Sequence, residues 1–435
     1  MVVIWQFESL MKLGVRFYLF AISTALSGLV THSVRFAVAW LVAEKTGNAT
    51  LAAMIFGIAS FVEIYARPLL APIADYFVRL RVYRVCLALN VTSTWALFFA
   101  VAAFSFSAWL VGSLLVLSGL VDALRHPTAA GLTPSIVPLE RLTEAQSVRS
   151  TIGPSIGVMA PALGGLLITL YGVSAAIQLA AWAASLAYVA ALGVRVLPRT
   201  AKPKNGSWAN YLQTWHIQTF TGIRAVFKTR AEILNAIATS FLNGGLFPFF
   251  SIGIALWVNT ELHYGAWAMA VVEIAFWVGM LVSGAFVLQR LNHQLGRYMV
   301  TVISSFTLGG CLILASQFKN VVVISAFFVV AGIAFTAFNV NTSALRSAAA
   351  PPEFRSRLFA GVSFIASSFN PFSVMILGIV ISASSPSVGV AVCGCLIALS
   401  GVVIFTNKEA RNLYMKPLSE IGAAYASLYP KAFRQ

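Results

Sequence analysis

The sequence predicts an all-α membrane protein of twelve spanning helices in two halves of six. Three observations predict it. Of 435 residues, 59% are hydrophobic and 10% are charged, against about 25% charged in ordinary globular domains. The apolar residues form continuous runs of about 20, the length a helix needs to cross the hydrocarbon core. The basic residues lie between runs and on alternate connections: 24 of the 29 Lys and Arg fall on one set, two on the other and three within runs. That asymmetry is the positive-inside pattern. It places both termini in the cytoplasm and requires an even number of spans.

The same observations exclude other classes. A soluble chain this apolar, with mean hydropathy +0.86, could not cover its own surface. A membrane β-barrel would alternate polar and apolar residues. The net charge of +16 is spread over connections rather than gathered on one module, so nucleic acid is not a partner. Cys86, Cys311, Cys393 and Cys395 lie in apolar runs and read as small buried hydrophobes. The five histidines show no metal-ligand spacing, and no G-x-x-x-x-G-K-[ST] run is present to cradle phosphates. The sequence therefore implies no metal, no cofactor and no enzyme. Met1 to Lys12 lacks a small-residue cleavage site, so the first run reads as a span and not a signal peptide.

In chain order the runs are 17–41, 51–72, 83–105, 108–130, 147–170, 174–196, 232–258, 265–288, 298–317, 320–343, 358–383 and 387–406. Lys12 and Arg16 precede the first. Arg79, Arg81 and Arg84 follow the second, Arg141 and Arg149 the fourth, and Arg290 and Arg297 the eighth. Arg346, Arg355 and Arg357 follow the tenth. The intervening connections are short and nearly uncharged. Domain limits follow: residues 1–197 for one half, 198–230 for a cytoplasmic linker, 231–406 for the other half and 407–435 for a cytoplasmic tail. In the linker, Trp208, Tyr211, Leu212, Trp215, Ile223, Val226 and Phe227 recur mostly at helical spacing. They read as an amphipathic helix on the inner membrane surface, or as a plain linker helix packed on the bundle. The halves echo one another: Pro138-Leu-Glu140-Arg141 after run four is matched by Pro352-Glu353-Phe-Arg355 after run ten.

Ala71-Pro-Ile-Ala-Asp75, with Arg79 and Arg81 beyond it, is similar to the G-x-x-A-D-R-x-G-R-R loop of the major facilitator superfamily. His126-Pro127 with Leu132-Thr-Pro134, and Gly157-Val-Met-Ala-Pro161-Ala-Leu-Gly164-Gly165, add to the likeness; the last looks like the G-P-x-x-G-G antiporter motif. Over residues 14 to 406 the chain resembles that superfamily, and within it the macrolide-efflux and enterobactin-exporter-like branch. It departs from the pattern in places: Ala71, Tyr76, Val78 and Ala160 replace a glycine, an arginine, a glycine and a glycine, and Leu288 stands where an Asp is often found.

The resemblance implies a secondary active transporter with alternating access, its solute bound between the halves near the midplane. The expected activity is proton antiport that exports a small amphiphilic or anionic organic solute, drug-like or a siderophore, across the inner membrane. The alternatives are proton-coupled uptake of an anionic metabolite or siderophore, and a transporter-like lipid flippase or sensor. The expected partners are the solute, protons and the bilayer, and the chain is expected to be a monomer.

Charged groups inside spans are costly and therefore informative. The superfamily fold places spans 1, 4, 7 and 10 on the cavity, which favours His32, Arg35, Asp122, Arg125, Asn243 and Asn339 as solute contacts. His32 and Arg35 are three residues apart, as are Asp122 and Arg125, so each pair can share a helix face. Arg35 has no acid within four residues; it awaits an anion or an acid on another span. His32 reads equally well as a satisfied core histidine, Asp122–Arg125 equally well as a structural pair, and His126 as a cap near the span end. Glu273 has no charge among its neighbours Met269 to Trp277. A lone carboxyl there suits proton uptake and release as its surroundings alternate between wet and dry, or makes one interhelical hydrogen bond. Proton coupling is assigned to Glu273 and Asp122. Gating is assigned to Asp75, Arg79 and Arg81, and to Glu63 and Arg67, whose i,i+4 spacing also allows a self-neutralised pair. Gly153, Gly157, Pro161, Gly164 and Gly165 form a helix-packing motif, with small residues for close approach and Pro161 for a kink.

Overall fold

The computed structural model describes residues 13–104, 106–138, 141–196, 220–352 and 354–433, and its elements are all helices. Among the described residues ten helices are long and apolar enough to cross a membrane, and Ser155–Tyr171 is a shorter apolar one. The longest, Ala266–Ala315, contains Gly296 at φ 76° and ψ 149°. Glycine adopts that backbone freely and other residues do not. The run is therefore two crossings, and the total among the described residues is twelve.

The crossings are α1 (Val15–Thr46), α2 (Ala49–Tyr76), α3 (Arg79–Ala103), α4 (Ala108–Ile136), α5 (Leu142–Tyr171), α6 (Val173–Leu192), α7 (Arg230–Pro248, continued through wide turns to Glu261), α8 (Ala266–Val282), α9 (Leu288–Ala315), α10 (Val321–Ala349), α11 (Arg355–Ser368 and, after Phe369, Asn370–Ala383) and α12 (Pro386–Thr406). Several overrun the apolar runs: α10 continues to Ala349, six residues past the expected 343, whereas the break at Gly296 starts the ninth crossing close to the expected 298. Hydropathy marks where lipid ends, whereas backbone hydrogen bonding continues wherever no residue breaks it. After α12 the chain forms three short helices, α13 (Lys408–Tyr414), α14 (Leu418–Ile421) and α15 (Ala424–Leu428).

The chain divides into two compact units: Met1–Leu41 with Tyr65–Leu212, and Val42–Ile64 with Gln213–Gln435. In the first, Phe17 and Phe20 of α1 pack with Tyr83 and Leu87 of α3, Leu132 of α4, and Ala187 and Ala191 of α6. Small residues on α6 admit α1 and α3: the Ser23 hydroxyl donates to the Ala187 carbonyl at 2.8 Å and lies 3.0 Å from the Tyr83 hydroxyl. Arg84 ends α6. Its guanidinium donates to the carbonyls of Ala191, Leu192 and Val194 at 3.1, 3.0 and 2.9 Å, satisfying carbonyls that have no partner within the helix.

In the second unit the helices touch backbone to backbone. A Cβ on Gly279 of α8 would lie 2.0 Å from the Val329 carbonyl of α10, and one on Gly332 would lie 2.0 Å from that of Phe276. Gly309 of α9 and Gly394 of α12 meet in the same way, at 2.5 and 2.6 Å from each other's carbonyls. Such small-residue seams replace the hydrophobic drive that lipid removes. The end of α1 and the first part of α2, Val42–Ile64, belong here: Thr50 and Ser382 hydroxyls are 2.8 Å apart, and Gly57 faces Met375 of α11. Pro248 interrupts α7 and is followed by two π-helical turns, Phe249–Gly253 and Trp257–Glu261. Missing donors and wide turns of this kind loosen a helix locally. A helix at 220–228 packs on the start of α11, with Ala225 and Val226 buried and Gly222 against the Arg357 carbonyl. Ile223 is half-buried and Phe227 exposed. The expected amphipathic positions Trp208, Tyr211, Leu212 and Trp215 lie outside the described residues.

Candidate functional site

Position on three helices of the first unit brings the polar residues together. Thr24, Gly28, Thr31 and His32 follow one stripe of α1 at spacings of three and four. Asp122, Arg125, His126, Ala129 and Ala130 do so on α4, and Arg149, Ile152, Gly153 and Ile156 on α5. With Thr31 and Asp122 set apart, these residues line a cavity of about 470 Å³, within the range of small-molecule sites. The lining combines polar Thr24, His32, Arg125, His126 and Arg149 with apolar or small Gly28, Ala129, Ala130, Ile152, Gly153 and Ile156.

Part of this lining is a buried ion pair. Arg125 Nε donates to Asp122 Oδ1 at 2.9 Å, and Nη2 lies 2.8 Å from the same oxygen. The Thr31 hydroxyl donates to Asp122 Oδ2 at 3.0 Å and accepts from Arg125 Nη2 at 3.3 Å. Asp122 is 4% exposed and Arg125 1%. Arg125 also reaches His126 Nε2 at 3.3 Å. The carboxylate is thus engaged on both oxygens, which fixes the guanidinium and offsets its charge. Arg149 is held differently: it donates to the Thr133 hydroxyl and lies over the Phe20 ring, 5.7 Å from its centroid. Among the described residues no carboxylate pairs with it. Among the described residues the cavity therefore holds one guanidinium fixed by Asp122 and one held by a hydroxyl and a ring.

His32 and Arg125 stand on the cavity wall, Asp122 stands behind it, and half-buried Arg35 lies on α1 beyond His32. Gly153 faces the cavity with open space around it, whereas Gly164 packs against Phe36 of α1, where a Cβ would come within 3.0 Å of the ring. Gly157, Pro161 and Gly165 are buried. Glu63 is buried and Arg67 half-buried on α2. Arg79 Nη1 donates to the Gly131 carbonyl at 3.1 Å, tying α3 to α4. Arg81 borders an apolar groove among Ile73, Phe77, Val85 and Leu120. The side chain of Asp75 lies outside the described residues.

In the second unit, Asn243 donates to the Ala366 carbonyl of α11 at 3.2 Å, and Asn339 to the Phe335 carbonyl of its own helix at 3.0 Å. Glu273 is half-buried on α8, on the turn before Phe276. That ring joins Phe249, Phe250, Phe328 and Phe335 in an aromatic cluster. A second buried ion pair is present. Arg346 Nε in the last turn of α10 donates to Glu232 Oε1 in the first turn of α7 at 2.5 Å. Its guanidinium lies over the Phe359 ring, and the Tyr425 hydroxyl donates to Glu232 Oε2 at 2.7 Å.

Sequence reasoning passed over Thr31, Glu232 and Tyr425, and it counted Arg149 and Arg346 as loop cations. Arg346 is instead helical and buried, because α10 continues to Ala349 and the pair with Glu232 removes the need for water. One signal was available for Arg149: it precedes Ile152, Gly153 and Ile156 by three, four and seven residues, one helical face.

Comparison with known proteins agrees with the fold. The Macrolide efflux protein A of Streptococcus pyogenes is 21% identical over 415 residues, covering 92% of this chain and 98% of that protein. Its namesake in Enterococcus faecalis is 24% identical over 279 residues, 61% of this chain and 81% of that one. Among solved structures, a bacterial homologue of the iron transporter ferroportin, in an inward-facing state, superposes with a TM-score of 0.70 at 17% identity, covering 90% of this chain and 98% of that one. A D-xylose-proton symporter gives 0.68 at 12% identity, covering 93% and 99%. The sequence profile of the Major Facilitator Superfamily matches residues 20–316. With twelve crossings, a polar cavity inside the first unit and that match over more than half its length, the chain belongs to the Major Facilitator Superfamily of multi-pass membrane transporters.

Proposed function

We propose that the protein exports an anionic amphiphilic organic solute across the inner membrane in exchange for protons, with both termini cytoplasmic. The cavity of the first unit carries the reading. Its lining holds two guanidiniums and two imidazoles among apolar and small residues, and the adjoining Asp122 carboxylate is already engaged by Arg125 and Thr31. A cationic amphiphile would meet repulsion there. A carboxylate, phenolate or sulfonate would meet the planar, multidentate donors that suit it, while its body lay on Ile152 and Ile156. The likeness to macrolide efflux proteins over most of the chain supports export over uptake. Glu273 is the proton carrier in this reading and Asp122 the second acid. Arg35 serves as a further anion contact when the cavity changes shape.

The test uses proteoliposomes with an acidic lumen and two amphiphilic dyes, the anion anilinonaphthalene sulfonate and the cation ethidium. The anion should accumulate, a protonophore should abolish the accumulation, and ethidium should lag by about ten-fold, the ~1.4 kcal/mol of one charge-assisted contact. Equal movement of both dyes would refute the anionic assignment. Movement of the anion that ignores the protonophore would refute proton coupling. Equal scrambling of headgroup-labelled lipid in loaded and empty vesicles is expected, and faster scrambling with protein would favour a flippase.

A further inference from the structure

Residues 407–433 fold back onto the second unit, on the side where α7 begins and α10 ends. The first part is firmly seated. Asn407 donates to the Ala231 carbonyl at 2.9 Å and to Asn235 Oδ1 at 3.3 Å, and its own Oδ1 caps α13 through the amide of Ala410. Leu413 and Tyr414 are buried. Arg297 of α9 donates to the carbonyls of Tyr414 and Lys416.

The second part, from Pro417 onward, is held by separate points. α14 and α15 have four and five residues, too few to persist without tertiary contacts. Between them Gly422 and Ala423 are both left-handed, at φ 42° and φ 58°. An alanine there is strained, and the turn persists because the Ala423 amide donates to the Ala348 carbonyl of α10 at 3.0 Å. The turn directs Tyr425 inward, fully buried, onto Glu232. Beyond it, the Tyr429 hydroxyl meets the Ala231 amide at 3.2 Å and Glu409, and Phe433 packs edge-on against Phe354 at 5.5 Å. Met415, Leu418 and Leu428 remain exposed.

The seat of Tyr425 is separable from the ion pair. Arg346 engages Glu232 through Oε1 and the tyrosine engages Oε2. Withdrawal of the tail would open Oε2 to water and leave the pair itself made. Burial and the facing Glu232 carboxylate raise the Tyr425 hydroxyl well above its ordinary value, so it stays a donor at any physiological pH.

We propose that residues 417–433 are a reversible latch, in which Tyr425 seated on the Glu232–Arg346 pair ties the adjoining ends of α7 and α10 together and its withdrawal hydrates the pair and frees them. Its natural antagonist is anything that binds the exposed tail.

The test is hydrogen–deuterium exchange on the full-length protein in lipid nanodiscs, read in residues 231–238 and 342–349. Tyr425→Phe keeps the ring and removes the donor; exchange should quicken about ten-fold there and stay unchanged in α1–α6. In the second arm, Ala348→Cys with Ala423→Cys, exposed Cys395 being replaced by serine, locks the docked tail on oxidation. If the latch opens in the native protein, oxidation should slow the same exchange about ten-fold relative to the reduced form. Equal exchange in oxidised and reduced forms would show a tail that never leaves, and would overturn the proposal. So would unchanged exchange in Tyr425→Phe, which decides alone should the cysteine pair fail to accumulate.

Discussion

Asp122–Arg125 in the first unit and Glu232–Arg346 in the second are built from the same parts. Each is a buried carboxylate held by a guanidinium through one oxygen and by a hydroxyl through the other. Thr31 supplies that hydroxyl in the first and Tyr425 in the second. They differ in what lies beyond the arginine. Arg125 borders a cavity that also holds Arg149 and two histidines, whereas Arg346 is covered by Phe359 and the tail. The same chemistry therefore borders a cavity in one unit and is closed by the chain itself in the other. Residue type and pairing do not separate a binding site from a structural pair; access does.

Removing each arginine should expose that difference most strongly. Arg346→Ala leaves Glu232 charged and buried, a loss of about 3–5 kcal/mol, and the protein should nearly vanish from the membrane. Arg125→Ala should remain largely present, since loss of that lining side chain opens Asp122 to cavity water, yet bind no anion. Fluorescence-detected size exclusion, with dye binding on the recovered fraction, checks both, and equal abundance of the two variants would break the comparison. Glu273→Gln should next abolish pH-driven dye accumulation while dye binding persists, because the amide matches the shape of a protonated carboxyl but carries no proton. Wild-type accumulation in that variant would move the coupling role to Asp122. Arg149→Gln should weaken anion binding about ten-fold, the worth of one charge-assisted hydrogen bond, at unchanged abundance; titration of the dye measures it.

The fold was legible because lipid imposes it: run length, basic asymmetry and the glycine-rich motif of α5 each carry a physical demand visible in one dimension. The cavity was legible only where ionisable groups stood inside a run, as at His32, Asp122 and Arg125. Arg149 and Arg346 were hidden at run ends, where cations normally meet headgroups: Arg149 is the third residue of its run, and α10 extended past its run to enclose Arg346. Glu232 looked like an ordinary first-turn acid at a helix N-terminus. Tyr425 lay in a tail without periodicity, and its role depends on a strained turn that no pattern of hydrophobicity encodes.

Smaller effects sharpen the contrast at its edges. Arg84→Gln removes the cap on α6 in the first unit and should lower the melting temperature by a few degrees, about 1–2 kcal/mol, with dye binding intact; differential scanning fluorimetry decides. In the second unit, burial, reinforced by the Glu409 carboxylate, pushes the Tyr429 hydroxyl from 10.0 up to about 12, and Arg230 opposes the rise. A group raised on folding adds stability below its unfolded value and loses it above. Tail docking should hold through neutral pH and weaken between about pH 10 and 12, and limited proteolysis of the tail across that window reports it.

The wide turns of α7 alter how that helix tolerates change. A π-helical turn is an α-turn with one residue inserted. Deleting one residue within Trp257–Glu261 would restore an ordinary turn and leave both flanks facing as before, so Arg230–Leu256 would keep its neighbours. The same deletion midway along α10 would rotate every later side chain by about 100° and carry Arg346 off Glu232. In one bundle, then, a missing residue is a silent edit in the first helix and a broken phase in the second.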